Sequence, residues 1–499
     1  MKYTKHLLAV ALISFGFSAR AAQSIKVSEP GSLATLVVNA DSETSLTLSG
    51  QINAADFAFL ADEMPKLSSL NLKDATIADY SGEALPSGFT TVLANTLPPY
   101  ALFGTKITSV TLPDNITVIG EYALASTKLT SITLPASVTT IERGAFASST
   151  LTSVVLPATV NSIGTGLFKD CSALKSVVLS SLTVIPASTF ANCPSLSNVS
   201  APNVTSIGAS AFAGCSALSA FSFNPAIKSI GDKAFYQSGL KVLDLNAMTS
   251  LTEVGNYAFA NCKSLTSAIL PQQLTNLGAG LFMGDSAMDS VTVSNKLTII
   301  PDYTFSGAAA LTDGASAVPS SVTSIGDYAL NGWQAVEIFA LPDNLESIGD
   351  YAMANWSNLK EIHAEKLTAV PQTGENVWEN VDQPNAILFV DFSHADLFRN
   401  ADQWKEFTLD NTSSVDQTVA DAVTKSNIEY IVVDGRLVIS SKGAEIVSTT
   451  VYDLSGRRRF SKTGAEHTVI VDTNSWTPGV YAVQAVLADG TSEAIKIRL

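Results

Sequence analysis

Charge is scarce in this sequence. Only 15% of its 499 residues are Asp, Glu, Lys or Arg, well below the quarter usual in soluble domains. What charge there is leans acidic, 29 Lys and Arg against 45 Asp and Glu, a formal net of −16. There is no basic stripe, and an acidic surface repels phosphate backbones, which argues against a nucleic-acid partner. Histidine is rarer still: His6, His363, His394 and His467 are the four. None stands in a metalloprotease motif. Phosphate-cradling loops are missing too, since the glycines come singly and none is followed by Lys-Ser or Lys-Thr. No segment reaches the ~20 apolar residues of a membrane-spanning helix.

What the chain has in quantity is repetition. A unit of the form Ile-Gly-x-x-Ala-Phe begins at Ile119, Ile141, Ile163, Ile185 and Ile207, then at Ile230, Val254, Leu277, Ile300, Ile325 and Ile348. The spacing is 22 to 25 residues throughout. A looser copy, Leu97-Pro98-Pro99-Tyr100-Ala101-Leu102, precedes the series, and a degenerate one starts at Val370-Pro371. A fixed period of this length marks a solenoid of leucine-rich-repeat type. Such a stack presents a long face in place of a closed pocket, and that favours binding over catalysis.

Between the anchors runs a second pattern, Leu-x-x-Val-x-Leu-Pro, as in Ile107–Pro113, Leu129–Pro135 and Leu151–Pro157. Its alternation predicts a short strand with aliphatic residues inward and Thr108, Ser109, Thr130, Ser131, Thr266 and Ser267 outward. The anchor Gly is expected to permit a sharp turn. The segment that follows is expected to be a one-turn helix, its Ala and Phe in the core. Asp232, Asp302, Asp327 and Asp350 then fall at helix starts, where a carboxylate caps free N–H groups. Calcium binding by that Asp series is the weaker reading, because calcium needs six or more converging oxygens.

The four cysteines obey the repeat. Cys171, Cys193, Cys215 and Cys262 each lie three residues after a repeat Phe, in a slot that later holds Trp333 and Trp356. A slot that accepts Cys or Trp reads as apolar and packed, so free buried thiols are expected. Export would permit disulfides as the alternative. The expectation of export comes from the N-terminus: Lys2 and Lys5, an apolar run from Leu7 to Phe17, and a small-x-small site at Ala19-Arg20-Ala21.

The fold class is therefore an α/β solenoid of short strands and one-turn helices, followed by a small all-β sandwich. The expected order is a signal peptide over 1–21, an N-terminal cap over 22–96 and repeats over 97–370. A C-terminal cap over 371–409, a linker over 410–427 and a β-sandwich over 428–499 follow. In the first cap, Leu46-Thr47-Leu48 and Leu67–Leu72 read as strands, and Asp56 opens a helix through Met64. In the second, Trp378, Phe389, Phe392, Phe398, Trp404 and Phe407 would plug the last coil, with a carbohydrate platform as the alternative. The turns Asp434-Gly435 and Asp489-Gly490 between β-rich runs predict antiparallel hairpins.

The paired repeat motifs resemble the BspA-type leucine-rich repeats over about 275 residues, roughly twelve copies. That resemblance implies an exported or surface protein, with adhesion among the family's roles. The last 75 residues are similar to the C-terminal sorting domain of the type IX secretion system. Val451-Tyr452-Asp453-Leu454-Ser455-Gly456-Arg457, Pro478-Gly479-Val480-Tyr481 and Ile495-Lys496-Ile497 carry the likeness. Such domains usually end in a basic residue, whereas this chain ends in Leu499. A retained, uncleaved β-domain is the alternative.

A search for catalytic groups returns little. Ser172-Ala173-Leu174-Lys175 matches Ser-x-x-Lys, but Ser357-Asn358-Leu359-Lys360 repeats it as part of the coil. The expected function is a non-enzymatic, monomeric, exported or cell-surface protein. It would use no cofactor or metal and would bind a protein or glycan. Its contact stripe would be Tyr303, Tyr328 and Tyr351, which share one repeat position, with Asp302, Asp327 and Asp350 beside them. The alternatives are a hydrolase using cap acids such as Asp391 and Asp396, or a purely structural surface spacer.

Overall fold

The computed structural model describes residues 23–82, 88–410, 428–433, 435–453, 457–477 and 479–498. The signal-peptide reading, nearly all of the linker, Asp434, Leu454–Gly456, Pro478 and Leu499 lie outside the described residues. The chain forms two compact units. One gathers residues 1–337, 344–359 and 371–381, the other 338–343, 360–370 and 382–499.

The first unit is a solenoid of stacked short-strand coils with few helices. At its start, strands Gln23–Val27, Ser45–Ile52 and Ser69–Ile77 pair in parallel and pass into Ser109–Thr111. A helix, Ala54–Glu63, lies between the second and third strands. It begins earlier than the expected Asp56, because Asn53 caps it and the Asp56 carboxylate bonds back to the Asn53 N–H at 2.9 Å. In the coils, two ladders of parallel strands recur. One contains the Val-x-Leu strands, such as Ser153–Val155, Ser176–Val178 and Asn198–Ser200. The other contains the pairs before the anchor, such as Val184–Ile185, Ser206–Ile207 and Ser229–Ile230. Pairing is residue on residue from coil to coil, so like side chains stack. Phe146, Phe168, Phe190, Phe212, Phe235, Phe259, Phe282 and Phe305 form one buried ring ladder with centroids 5.0–6.0 Å apart. Each buried Phe is worth roughly 1.5–3 kcal/mol. The match at Leu129–Pro135 keeps the pattern without forming a strand.

Two expectations about the coil are overturned. The segment after the anchor is a pair of tight turns, not a helix. In the coil of Tyr122, Ala123 and Ala125 donate three residues back, to Gly120 and Tyr122. The alternate residues Tyr122, Leu124 and Ser126 donate to Arg143, Ala145 and Ala147 of the next coil. A helix would turn every N–H back along its own coil and leave the neighbouring coil's carbonyls unpaired. The anchor Gly, likewise, is not there for a left-handed turn. A Cβ on Gly208 would stand 2.5 Å from the Ala187 nitrogen, and one on Gly349 2.4 Å from the Asp327 carboxylate. Glycine is needed because the preceding coil lies against it.

The cysteines are free and buried. Their slot is more specific than an apolar one. Each thiol donates to a carbonyl in the coil before: Cys171 to Phe146, Cys193 to Phe168, Cys215 to Phe190 and Cys262 to Phe235, at 3.0–3.2 Å. The indoles of Trp333 and Trp356 do the same toward Phe305 and Leu330, at 3.1 and 2.8 Å. A buried carbonyl requires a partner, and S–H or N–H serves. Burial pushes all four thiols up, Cys215 and Cys262 to about 12.

In the second unit, Ile338–Ala340, Glu361–His363, Ile387–Phe389 and Thr408–Asp410 pair in parallel. Phe398, Trp404 and Phe407 are buried. Beyond them stand two antiparallel sheets. One orders Ile428–Val433, Arg436–Ser441 and Thr468–Asp472. The other orders Arg458–Glu466, Ile446–Asp453, Val480–Leu487 and Ser492–Arg498. The strand Arg458–Glu466 escaped the sequence because seven of its nine residues are charged, Ser, Thr or Gly. Leu437, Ile439, Val451, Val471, Val483 and Ile497 contribute to one buried cluster shared by both sheets.

Candidate interaction surface

The tyrosine position of the repeat is a backbone position of positive φ. Along the coils it is filled by Tyr100, Tyr122, Gly144, Gly166, Ser188, Ser210, Lys233, Tyr257, Gly280, Tyr303, Tyr328, Tyr351 and Asn376, all with φ between 51° and 63°. Each is the third residue of a tight turn, which needs left-handed backbone. Glycine adopts this conformation freely, while a side chain costs roughly 1–2 kcal/mol.

Three consecutive coils place tyrosine there. The rings of Tyr303 and Tyr328 stack with centroids 5.1 Å apart and planes 3° off parallel; Tyr328 and Tyr351 stack at 4.9 Å and 9°. All three are half-buried. Asn376 extends the row, donating to the Tyr351 hydroxyl at 2.8 Å. Desolvation, with Tyr351, Tyr303, Asp350 and Glu379 adding, pushes the Tyr328 phenol up. Two stacked pairs gain about 1–3 kcal/mol, against about 3–6 kcal/mol for three left-handed side chains. Stacking alone does not offset the backbone cost. Elsewhere the ring has a different seat: Tyr122 and Tyr257 lie where a Cβ on Gly144 or Gly280 would fall, 2.3 Å from the ring.

The aspartates beside the stripe are brought together, but not as helix caps. Asp302 accepts the Asp327 N–H at 2.9 Å, Asp327 the Asp350 N–H at 2.8 Å, and Asp350 the Glu375 N–H at 2.7 Å. Asp232 and Asn256 make the same bond one coil onward. No helix starts there, so the carboxylate bridges coils. One oxygen of each is used this way; among the described residues no three His, Cys, Asp or Glu side chains gather as a metal site. Residues 297–359 contain seven acids and no Lys or Arg.

The acids weighed for hydrolysis belong to the second unit. Asp391 takes the Ser393 N–H and hydroxyl, and these bonds hold its carboxyl below the usual range. Asp396 pairs with Arg399 at 2.7 Å in solvent. Ser172 and Ser357 are exposed turn residues. Two features escaped the sequence. His363 stacks on Phe389 at 4.7 Å and lies between Glu365 at 2.9 Å and Glu361 at 3.3 Å. The Glu365 hydrogen bond leads in raising its pKa, against partial burial. A groove of about 220 Å³ also opens between the helix Ala54–Glu63 and the first coil. Pro98-Pro99-Tyr100 was visible as a loose repeat, but nothing in the sequence places the helix beside it.

No helix among the described residues is long and apolar enough to cross a membrane. No curated protein matches the chain. A leucine-rich repeat protein from Bacteroides ovatus has a similar solved structure, with 19% identity and a TM-score of 0.53 over 78% of this chain and 92% of that one. A leucine rich cell surface protein from Faecalibacterium prausnitzii is 17% identical over 68% of this chain and 82% of that one, at a TM-score of 0.29. A leucine-rich repeat protein from Eubacterium ventriosum is 17% identical over 67% and 88%, at 0.34. The family described as BspA type leucine rich repeat region matches residues 95–203, 183–312 and 314–420, in six copies. With strand ladders, stacked Phe core and repeat motifs all in that register, the chain belongs to the BspA-type leucine-rich repeat family.

Proposed function

We propose that this is an exported, non-enzymatic binding protein of the cell surface, and that it engages a macromolecular partner through the Tyr303, Tyr328 and Tyr351 stripe. The observation that carries the reading is that stack of half-exposed rings, held at a left-handed backbone position that glycine fills without cost. Aromatic residues give contact area with few rotamers to freeze. The neighbouring Asp302, Asp327 and Asp350, in a stretch without cations, favour a basic or hydroxyl-rich protein or glycan. Residues 428–499 act in export or surface attachment, on the strength of their likeness to a sorting domain. The test is a protein and glycan array probed with the full chain, followed by titration of the ligand found. Replacing the three tyrosines by Ala should weaken that ligand at least about thirtyfold if the stripe supplies ~2 kcal/mol. Unchanged affinity in a folded triple variant moves the site elsewhere, and an array without any ligand favours a structural spacer.

A further inference from the structure

The groove beside Tyr100 has a chemistry of its own, independent of the stripe. Its walls offer almost no hydrogen-bond donors. Pro98 and Pro99 have no N–H. The N–H groups of Tyr100, Ala101, Leu102 and Phe103 are all spent, on Glu121, Pro98, Ala123 and Tyr100. The facing helix shows it Ala54, Ala58 and Ala61, one apolar face at helical spacing. The one side-chain donor of the lining is the Tyr100 hydroxyl, and a phosphate or carboxylate that reached it would be repelled by the Asp62 carboxylate.

What the groove offers is aromatic rings and one carboxylate. Phe103 meets Tyr100 edge-on at 5.5 Å and is 46% exposed. Asp62 is the single charged residue of the lining. It sits in the last turn of its helix, where a carboxylate opposes the dipole, and among the described residues it forms no ion pair.

The chain itself shows what suits such a ring. Two tyrosines of the left-handed series carry a cation: Arg143 lies 5.7 Å over Tyr122, and Lys233 5.8 Å over Tyr257. Lys233 fills the same repeat position one coil before Tyr257, whereas Arg143 belongs to the coil after Tyr122. Neither source serves Tyr100: it opens the series, and the residue of the following coil that corresponds to Arg143 is Glu121. The groove stands in that place.

We propose that the groove between the helix Ala54–Glu63 and Tyr100 receives a guanidinium or ammonium on an apolar stem, the Arg or Lys side chain of a partner protein. The volume suits one side chain, being below the ~300 Å³ at which small-molecule pockets begin. The apolar stem lies along the alanines and prolines, and the cation meets the Tyr100 and Phe103 rings with Asp62 behind.

The probe is the peptide acetyl-Gly-Arg-Gly-amide, titrated into the full chain by ligand-observed NMR beside its citrulline twin, which has the same shape without the charge. Expected is weak saturable binding, with a Kd on the order of 1 mM, and at least about fivefold weaker binding of the citrulline peptide. Asp62→Asn and Phe103→Ala, both at exposed positions, should each weaken the Arg peptide by a similar factor. Asp289→Asn, at an exposed acid that belongs to neither the groove nor the stripe, should leave it unchanged. No saturable binding, equal binding of the two peptides, or binding indifferent to both groove variants overturns the proposal.

Discussion

Two stretches of the same solenoid differ in almost everything that faces outward. Residues 176–227 contain no charged residue at all, and their left-handed position holds Ser188 and Ser210. Residues 297–359 carry seven acids and no cation, and the position holds three stacked tyrosines. Inside, the two stretches share a device. A donor in the slot after the ring position reaches a carbonyl of the preceding coil, through Cys193 and Cys215 in the first and Trp333 and Trp356 in the second, while the slot after Phe305 holds the buried Ala308 and has no such donor. The interior is thus constrained by hydrogen bonding between coils and the exterior is free to vary. The tyrosines depart from glycine, the occupant without backbone cost, and that departure motivates the proposed contact stripe.

The sharpest way to break this comparison is to empty the slot in each stretch. Trp356→Ala leaves a large void against Trp333, with which it stacks at 5.7 Å, and orphans the Leu330 carbonyl. It should cost about 3–5 kcal/mol. Cys193→Ala removes one sulfur and one bond and should cost about 1 kcal/mol. Urea midpoints followed by Trp emission measure both, and equal losses would mean that the slot does not set stability as described.

Asp285 occupies the slot between the two stretches and fits it badly. It is fully buried, one oxygen accepts the Cys262 N–H at 2.7 Å, and the other finds no hydrogen-bond partner. Burial pushes its pKa well above 3.8, against the opposing Cys262 bond and Lys263. A carboxyl raised in this way contributes most below 3.8, and its contribution falls as pH rises toward the folded value. Asp285→Asn should therefore stabilise at neutral pH, by about 1–3 kcal/mol if the orphaned charge is what is relieved. That gain should fade toward pH 4. A gain independent of pH would assign the effect to packing instead.

The smallest effect is expected at the stripe. Tyr328→Gly loses two ring contacts but releases a side chain from φ 55°. The two terms nearly cancel, and stability should move by less than about 1 kcal/mol. A large loss would show that the rings are there to hold the coils together.

Much of this was legible beforehand. Ile141, Phe146 and Cys171 announced their burial by recurring at a fixed period, and the period required that like residues stack. The tyrosines and aspartates could be aligned from the sequence as well. What could not be read was the conformation of the four or five residues after the anchor. A short Asp-Tyr-Ala-Leu run has the composition of a helical turn. Its true geometry is imposed by the next coil, whose carbonyls take alternate N–H groups, and no local preference records that. The same cause hid the job of the aspartates, which bond a neighbour 23 to 25 residues away.

The sequence by itself determined the stack: its period, its core ladder, its buried thiols and the family it belongs to. These follow from periodicity, because a repeated apolar residue is buried only by its own copy in the adjoining coil. The tertiary structure alone decided which residues take left-handed backbone, why the anchor must be glycine, and where the helix Ala54–Glu63 lies against Tyr100 to open a groove. Those depend on how closely one segment approaches another, a distance that pattern along a chain does not contain.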